Sequence, residues 1–178
     1  MKPYQAKQFF QALGEDLVPE VLELFRITEE PVLETSFRLL REQNVVRREW
    51  QFPFPDLALE GLEEWAETVS VSILALHGPW IIEGRAMVTV VPKRVEEQGE
   101  RLLFSVEVEW NRRGDGVEVV AHCSSLTDPR VVAFLADILA QTVRETVQEL
   151  RELEARAKAS PAYREAEERI LSRVVLES

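Results

Sequence analysis

The residues best suited to chemistry are two histidines and one cysteine. His122 and Cys123 are adjacent in a strand-like run, and His77 opens the turn-like sequence His-Gly-Pro-Trp. Neighbours on a strand point to opposite faces of a sheet, so His122 and Cys123 cannot act together on one atom. The favoured interpretation is a small buried cysteine beside a solvent-facing histidine.

An enzyme would take its general base from these histidines. A neutral imidazole near pH 7 can accept a proton, which makes His77 or His122 the candidate. His77 and His122 could meet in the folded protein. Two histidines without a carboxylate cluster nevertheless give only weak support for a metal site. No substrate follows from the sequence, so a non-enzymatic role is favoured.

Motifs of common enzymes and cofactor-binding proteins are missing from the sequence. A single cysteine rules out an internal disulfide and a multi-cysteine zinc site. The G-x-S-x-G nucleophile elbow and the glycine-rich phosphate-binding motifs are also missing. We therefore assign no catalytic residue and expect neither a cofactor nor a metal.

The charge and hydropathy of the chain restrict its partners. The net charge is −11 at pH 7, whereas a surface that tracks phosphates needs clustered lysine and arginine. No segment approaches the ~20 apolar residues that a membrane span requires, and the N-terminus lacks the apolar run of a signal peptide. We expect a cytoplasmic protein with no nucleic-acid partner and no membrane insertion. Abundant glutamate with only two asparagines fits a thermophilic source.

Two segments ahead of the sheet have helical character. Residues 3–25 are predicted to be helical, with Pro3 in the first turn and an interruption at Gly14. Residues 31–42 satisfy both the strand period and the helix period, and a helix is favoured there.

The middle of the chain predicts an antiparallel sheet. Alternating apolar and polar residues predict strands at about 46–54, 81–91, 101–110 and 117–123. The run at 67–76 is β-branched and apolar on both faces, which predicts a central strand. Short links rich in turn residues join the last three strands, which should form a meander with one face in water. A slip of one residue would turn each apolar set toward solvent, so the register is determined by the pattern.

A long amphipathic helix follows the sheet. Thr127 or Asp128 is the expected cap, Pro129 occupies the first position, and the apolar stripe runs to about Lys158. A helix of ~30 residues is ~45 Å long, so its far end should overhang the sheet. Ser160–Pro161 restarts a helix. The expected organisation is one α+β domain over residues 1–158 and a helical appendage over residues 159–178.

This layout resembles the START-like, or helix-grip (SRPBCC), superfamily over about residues 45–157. The resemblance is carried by IIEGRAMVTVV, LLFSVEVEW and GVEVVAHC, followed by DPRVVAFLADILAQTVRETVQEL. It implies an antiparallel meander covered by a long C-terminal helix. Because members of that superfamily bind lipids, sterols and small metabolites, it also implies an apolar cavity between sheet and helix.

The favoured function is non-catalytic binding of a lipid-like or other small hydrophobic molecule. Aromatic side chains can converge between the sheet and the long helix, and the small residues Gly84 and Ala86 leave room for either a ligand or close helix packing. The ligand-cavity candidates are Trp50, Phe52, Ile82, Ala86, Val88, Phe104, Val106, Trp110, Phe134 and Ile138. The alternative is an assembly module that forms a homo-oligomer through residues 144–176, where the apolar stripe extends past the sheet.

Overall fold

The computed structural model describes residues 1–29, 41–42, 45–55, 66–77, 82–92, 105–124, 128–162, 164–165, 168–169 and 172. The helices are α1 (Pro3–Asp16), α2 (Val18–Glu29) and α3 (Pro129–Ala159). The strands are β1 (Arg41–Glu42), β2 (Val45–Pro53), β3 (Ala66–His77), β4 (Ile82–Pro92), β5 (Ser105–Arg113) and β6 (Gly116–Cys123). Each strand pairs antiparallel with the next, giving one sheet in the order β1-β2-β3-β4-β5-β6. The predicted α+β fold, a meander with a long C-terminal helix and N-terminal helices, is confirmed.

One face of the sheet forms the hydrophobic core. In the register, Ala86 faces Val108 and Val88 faces Val106, while Val108 also faces Ala121 on β6. All five side chains are at most 1% exposed. The predicted pairing of these three strands is therefore confirmed, and their inward sets are confirmed wherever the structure describes the side chains. The β5–β6 turn places Gly114 at φ 60°, a conformation that glycine adopts without steric cost.

Helix α3 begins at Pro129, the first helical position that the sequence predicted. The Asp128 side chain accepts a hydrogen bond from the Arg130 backbone N–H at 2.9 Å, and Pro129 is the first helical residue. The stripe that packs on the sheet is buried at Val131, Leu135, Leu139, Val143, Val147 and Leu150. Beyond Ser160 the described residues are again helical. None of the described helices is long and apolar enough to cross a membrane.

Three helices, and not α3 alone, cover the core face of the sheet. Helix α1 packs on β5 and β6, and α2 packs on β3, β4 and α3. The expectation of an exposed apolar overhang on α3 is therefore wrong for Val147, Leu150 and Ala157, which are at most 4% exposed. Helix α2 runs alongside this part of α3, and Arg26 joins the two helices through Glu154 at 2.8 Å.

Two other predictions about local structure need correction. Gly14 does not interrupt the first helix, which continues to Asp16. The break falls at Leu17, whose N–H bonds to the carbonyls of Leu13 and Gly14. The helix favoured for residues 31–42 is wrong at Arg41–Glu42, which pairs with Val45–Val46 as a short strand. Residues 31–40 lie outside the described part of the chain.

Candidate functional site

Four of the ligand-cavity candidates belong to the packed core. Ala86, Val88, Val106 and Trp110 are at most 1% exposed. The indole N–H of Trp110 donates to the carbonyl oxygen of Gly14 at 3.0 Å, within the protein interior. This side chain therefore anchors α1 to β5, since a buried indole N–H needs a partner.

The other described candidates lie where β2 meets the first half of α3. Trp50 and Phe52 alternate along the inward face of β2, followed by Phe54, and Phe134 and Ile138 are one turn apart on α3. The rings of Phe54 and Phe134 meet edge to face with their centroids 5.8 Å apart. All five side chains are half-buried and pack against the core. We call these five residues the β2–α3 cluster.

The β2–α3 cluster borders the buried candidates through the sheet. Trp50 faces Val71, Val71 faces Val88, and Val88 faces Val106, so the four lie in one row across β2 to β5. The structure thus brings half-exposed aromatic rings to the rim of a fully buried apolar wall. Phe104 lies outside the described residues, and for Ile82 only the backbone in β4 is described.

Arg48 closes one end of the β2–α3 cluster. Its guanidinium lies 5.1 Å from the centroid of the Trp50 ring, donates to the Thr146 hydroxyl at 3.2 Å and pairs with Glu149 at 3.1 Å. A half-buried charge between two apolar neighbours is stable because it is paired and stacked. Arg48 therefore fastens β2 to α3 and supplies a polar boundary beside the rings.

His122 and Cys123 lie on opposite faces of β6 and do not act as a pair. His122 is exposed and its Nε2 lies 3.5 Å from the Glu109 carboxylate. Cys123 faces the core side, where burial raises its pKa to about 11. A thiol in this state is a poor nucleophile because the thiolate is the reactive form.

His77 and His122 do not meet. The register places His122 in line with Glu107, Met87 and Ser72, so His77 is five residues along β3 and three strands away. At ~3.3 Å per residue and ~4.8 Å per strand, their backbones are separated by about 20 Å. The notion of paired imidazoles is wrong for this reason.

Sequence reasoning overlooked three residues that organise the core face. Gly14 lets α1 approach the sheet, Gln11 binds the edge of β6, and Arg48 ties β2 to α3. A glycine inside a helix costs about 1 kcal/mol relative to alanine, so Gly14 already signalled a close approach. For Arg48 the signal was its position in the alternating pattern. It lies between Val46 and Trp50 on the face that points to the core, where a charged side chain needs a partner.

Two surface hollows lined by described residues lie away from the β2–α3 cluster. One follows α1 at Lys7, Gln8, Gln11 and Glu15, and the other lies on Glu165, Glu168 and Arg169.

Comparison of the chain with protein-family models, with curated proteins and with solved structures found no match.

Proposed function

We propose that this protein binds a small apolar molecule without catalysing a reaction, at the β2–α3 cluster. The observation that carries the proposal is the half-burial of five large apolar side chains beside a closed core. The large aromatic side chains Trp110 and Phe25, by comparison, are at most 1% exposed on the same face. Binding sites for small molecules are mostly apolar and aromatic, with a few polar groups at the boundary.

The packing of the core limits where a ligand sits. Because Ala86, Val88 and Val106 are already covered, they form the floor of the site and make no deep cavity of their own. The ligand would lie between the rings of Trp50 and Phe134, with Arg48 at one end. A lipid-like chain or another small hydrophobic molecule matches this shape, and an aromatic wall adds edge and face contacts.

The test is a titration with N-phenyl-1-naphthylamine, a neutral dye that fluoresces in apolar surroundings, together with solvent extraction of the purified protein. We expect saturable binding at one site per chain. Ile138→Trp fills the space beside Phe134 and should weaken binding about tenfold or more, equivalent to ~1.4 kcal/mol. Phe9→Ala is the matched control, because Phe9 is an exposed aromatic residue of α1.

Two results would count against the proposal. One is a dye signal that never saturates in the folded protein and an extract that contains no small molecule. The other is equal loss of binding in Ile138→Trp and Phe9→Ala, which would locate the dye away from the β2–α3 cluster.

The assembly alternative loses the part of its support that came from α3. It depended on an exposed apolar stripe over residues 144–176. Within α3, Val147, Leu150 and Ala157 are buried, while Ile170, Leu171, Val174 and Val175 lie outside the described residues. Self-association through residues 144–158 is therefore not the function that we propose.

A further inference from the structure

Within the described part of the chain, strand β6 is the last strand of the sheet, and no described strand pairs with its outer edge. The Val119 carbonyl and the Ala121 N–H point away from β5, since both form hydrogen bonds with the Gln11 side chain of α1. Residues with this orientation alternate along the strand, so Val117 and Cys123 present their backbone to the same edge. An edge of this kind is a template for another strand.

Gln11 occupies the centre of this edge. Its side-chain N–H donates to the Val119 carbonyl, and its side-chain oxygen accepts from the Ala121 N–H at 3.0 Å. The Gln11 side chain thus occupies two backbone groups that an added strand would need for pairing with β6.

The sequence of β6 suits pairing with a second copy of itself. In an antiparallel pair centred on Val120, Val119 faces Ala121 of the other copy, and the Val119 carbonyl and Ala121 N–H bond across the interface. On the outer face, Glu118 then lies opposite His122 of the other copy, twice by symmetry. Both side chains are exposed, and their present contacts are the surface pairs with Arg113 at 2.7 Å and Glu109 at 3.5 Å. Complementary cross-strand pairs select this register.

Helix α1 holds Gln11 at this edge. It is seated on β5 and β6 so closely that a Cβ at Gly14 would lie 2.6 Å from Val108 and 2.7 Å from Val119. Two copies joined through β6 would bring their α1 helices together on the same face, and both Gln11 side chains would have to leave the edge.

We propose that β6 is a self-pairing edge that α1 holds closed, with Gln11 as the latch. The Gln11 amide and a second β6 strand compete for the Val119 carbonyl and the Ala121 N–H. Release of the latch converts the monomer into a dimer with a continuous sheet across both copies. This inference is independent of the ligand site, which lies at the opposite edge of the sheet.

The experiment is light scattering after size-exclusion chromatography over a wide range of protein concentration. The wild type should remain monomeric, and Gln11→Ala should form a dimer as concentration rises while its circular dichroism stays native. Hydrogen exchange adds a local readout: the Ala121 amide should exchange faster in dilute Gln11→Ala and regain protection on dimerisation. Gln8→Ala, an exposed change on the same helix, should stay monomeric.

A charge test separates specific pairing from loss of fold. Adding His122→Glu to Gln11→Ala places like charges opposite each other twice and should abolish the dimer, and a further Glu118→Lys should restore it. A Gln11→Ala protein that stays monomeric over the whole concentration range would overturn the proposal, whatever its Ala121 exchange. Assembly that is indifferent to His122→Glu, or a wild type already paired through β6, would overturn it as well.

Discussion

At the residue scale, Gly14 decides how closely α1 approaches the sheet. Its position leaves no room for a methyl group, since both Val108 and Val119 would be closer than 3.0 Å to it. We expect Gly14→Ala to lower the free energy of unfolding by roughly 1–2 kcal/mol. Overpacking costs about 1–3 kcal/mol, and the better helix propensity of alanine returns up to ~1 kcal/mol. Urea unfolding followed by circular dichroism measures the difference.

Gly84 provides a matched control for Gly14. It is also buried, but a Cβ there would meet the rings of Phe25 and Trp110 at 3.7 Å, an ordinary van der Waals distance. Glycine weakens a strand interior, so Gly84→Ala should be neutral or stabilise the protein by up to ~1 kcal/mol. Equal losses at the two glycines would show that close packing of α1 is not what Gly14 provides.

At the scale of elements, α2 and α3 are held side by side by a small ion-pair network. Arg26 donates to both oxygens of Glu154, at 3.0 and 2.8 Å, and also to Glu23. Lys158 reaches Glu154 from the next turn at 2.8 Å. The hydrogen bonds from Arg26 are the main reason that the pKa of Glu154 falls to about 2 from its ordinary value of 4.5.

This network predicts a specific loss of stability in acid. A carboxylate with a depressed folded-state pKa stabilises the protein above pH 4.5, and that contribution disappears as the pH falls toward 2. Glu154→Gln should therefore be less stable than the wild type at pH 6, by on the order of 1 kcal/mol, and the two should converge near pH 2. Urea unfolding of both proteins across this range provides the comparison.

Glu152→Gln serves as the control for the acid effect. Glu152 is exposed on the same helix, and its side chain accepts one bond from Gln148. Its stability curve should run parallel to that of the wild type. If the Glu154→Gln curve also ran parallel, Glu154 would not be the carboxylate that couples the two helices to pH.

The predictability of these elements follows from the range of their interactions. The register of β5 with β6 depends on alternation and on the tight turn at Gly114, and α3 depends on its period and on Asp128–Pro129, all of which are local in sequence. The position of α1 depends on contacts almost a hundred residues away, such as Trp110 with Gly14. The sequence pattern alone therefore could not separate the ten ligand-cavity candidates into buried and half-buried residues. The packing of α1 and α2 separates the buried ones from those at the rim.

At the scale of the whole molecule, the three described helices pack on one face of the sheet, and the described part of the other face mixes charged residues with apolar ones such as Leu74, Met87 and Val120. The described part of the outer face carries charged residues such as Glu49, Arg85, Glu107 and His122. The core that the structure describes is the apolar layer between the inner face of the sheet and the helices, bounded by the Gln11 latch at one edge and the β2–α3 cluster at the other. A single layer shared by all helices should unfold as one cooperative unit.

Cys123 offers a test of that cooperativity, because it is the single thiol and lies in β6 beneath α1. Burial raises its pKa to about 11 from the ordinary 9.0, which lowers the thiolate fraction at pH 8 roughly 100-fold. The greater nucleophilicity of a more basic thiolate recovers roughly tenfold, so alkylation by iodoacetamide should be about tenfold slower in the native protein than in urea. Half-burial of the sulfur slows it further.

The dependence of the alkylation rate on urea concentration then shows whether the protein unfolds as one cooperative unit or as two. If α1, the sheet and α3 unfold together, the rate should stay low up to the transition seen by circular dichroism and rise within it. Gly14→Ala should move both transitions to lower urea by the same amount. A thiol that becomes reactive well before the helical signal falls would mean that α1 and β6 open as a separate unit. That result would contradict a single cooperative core.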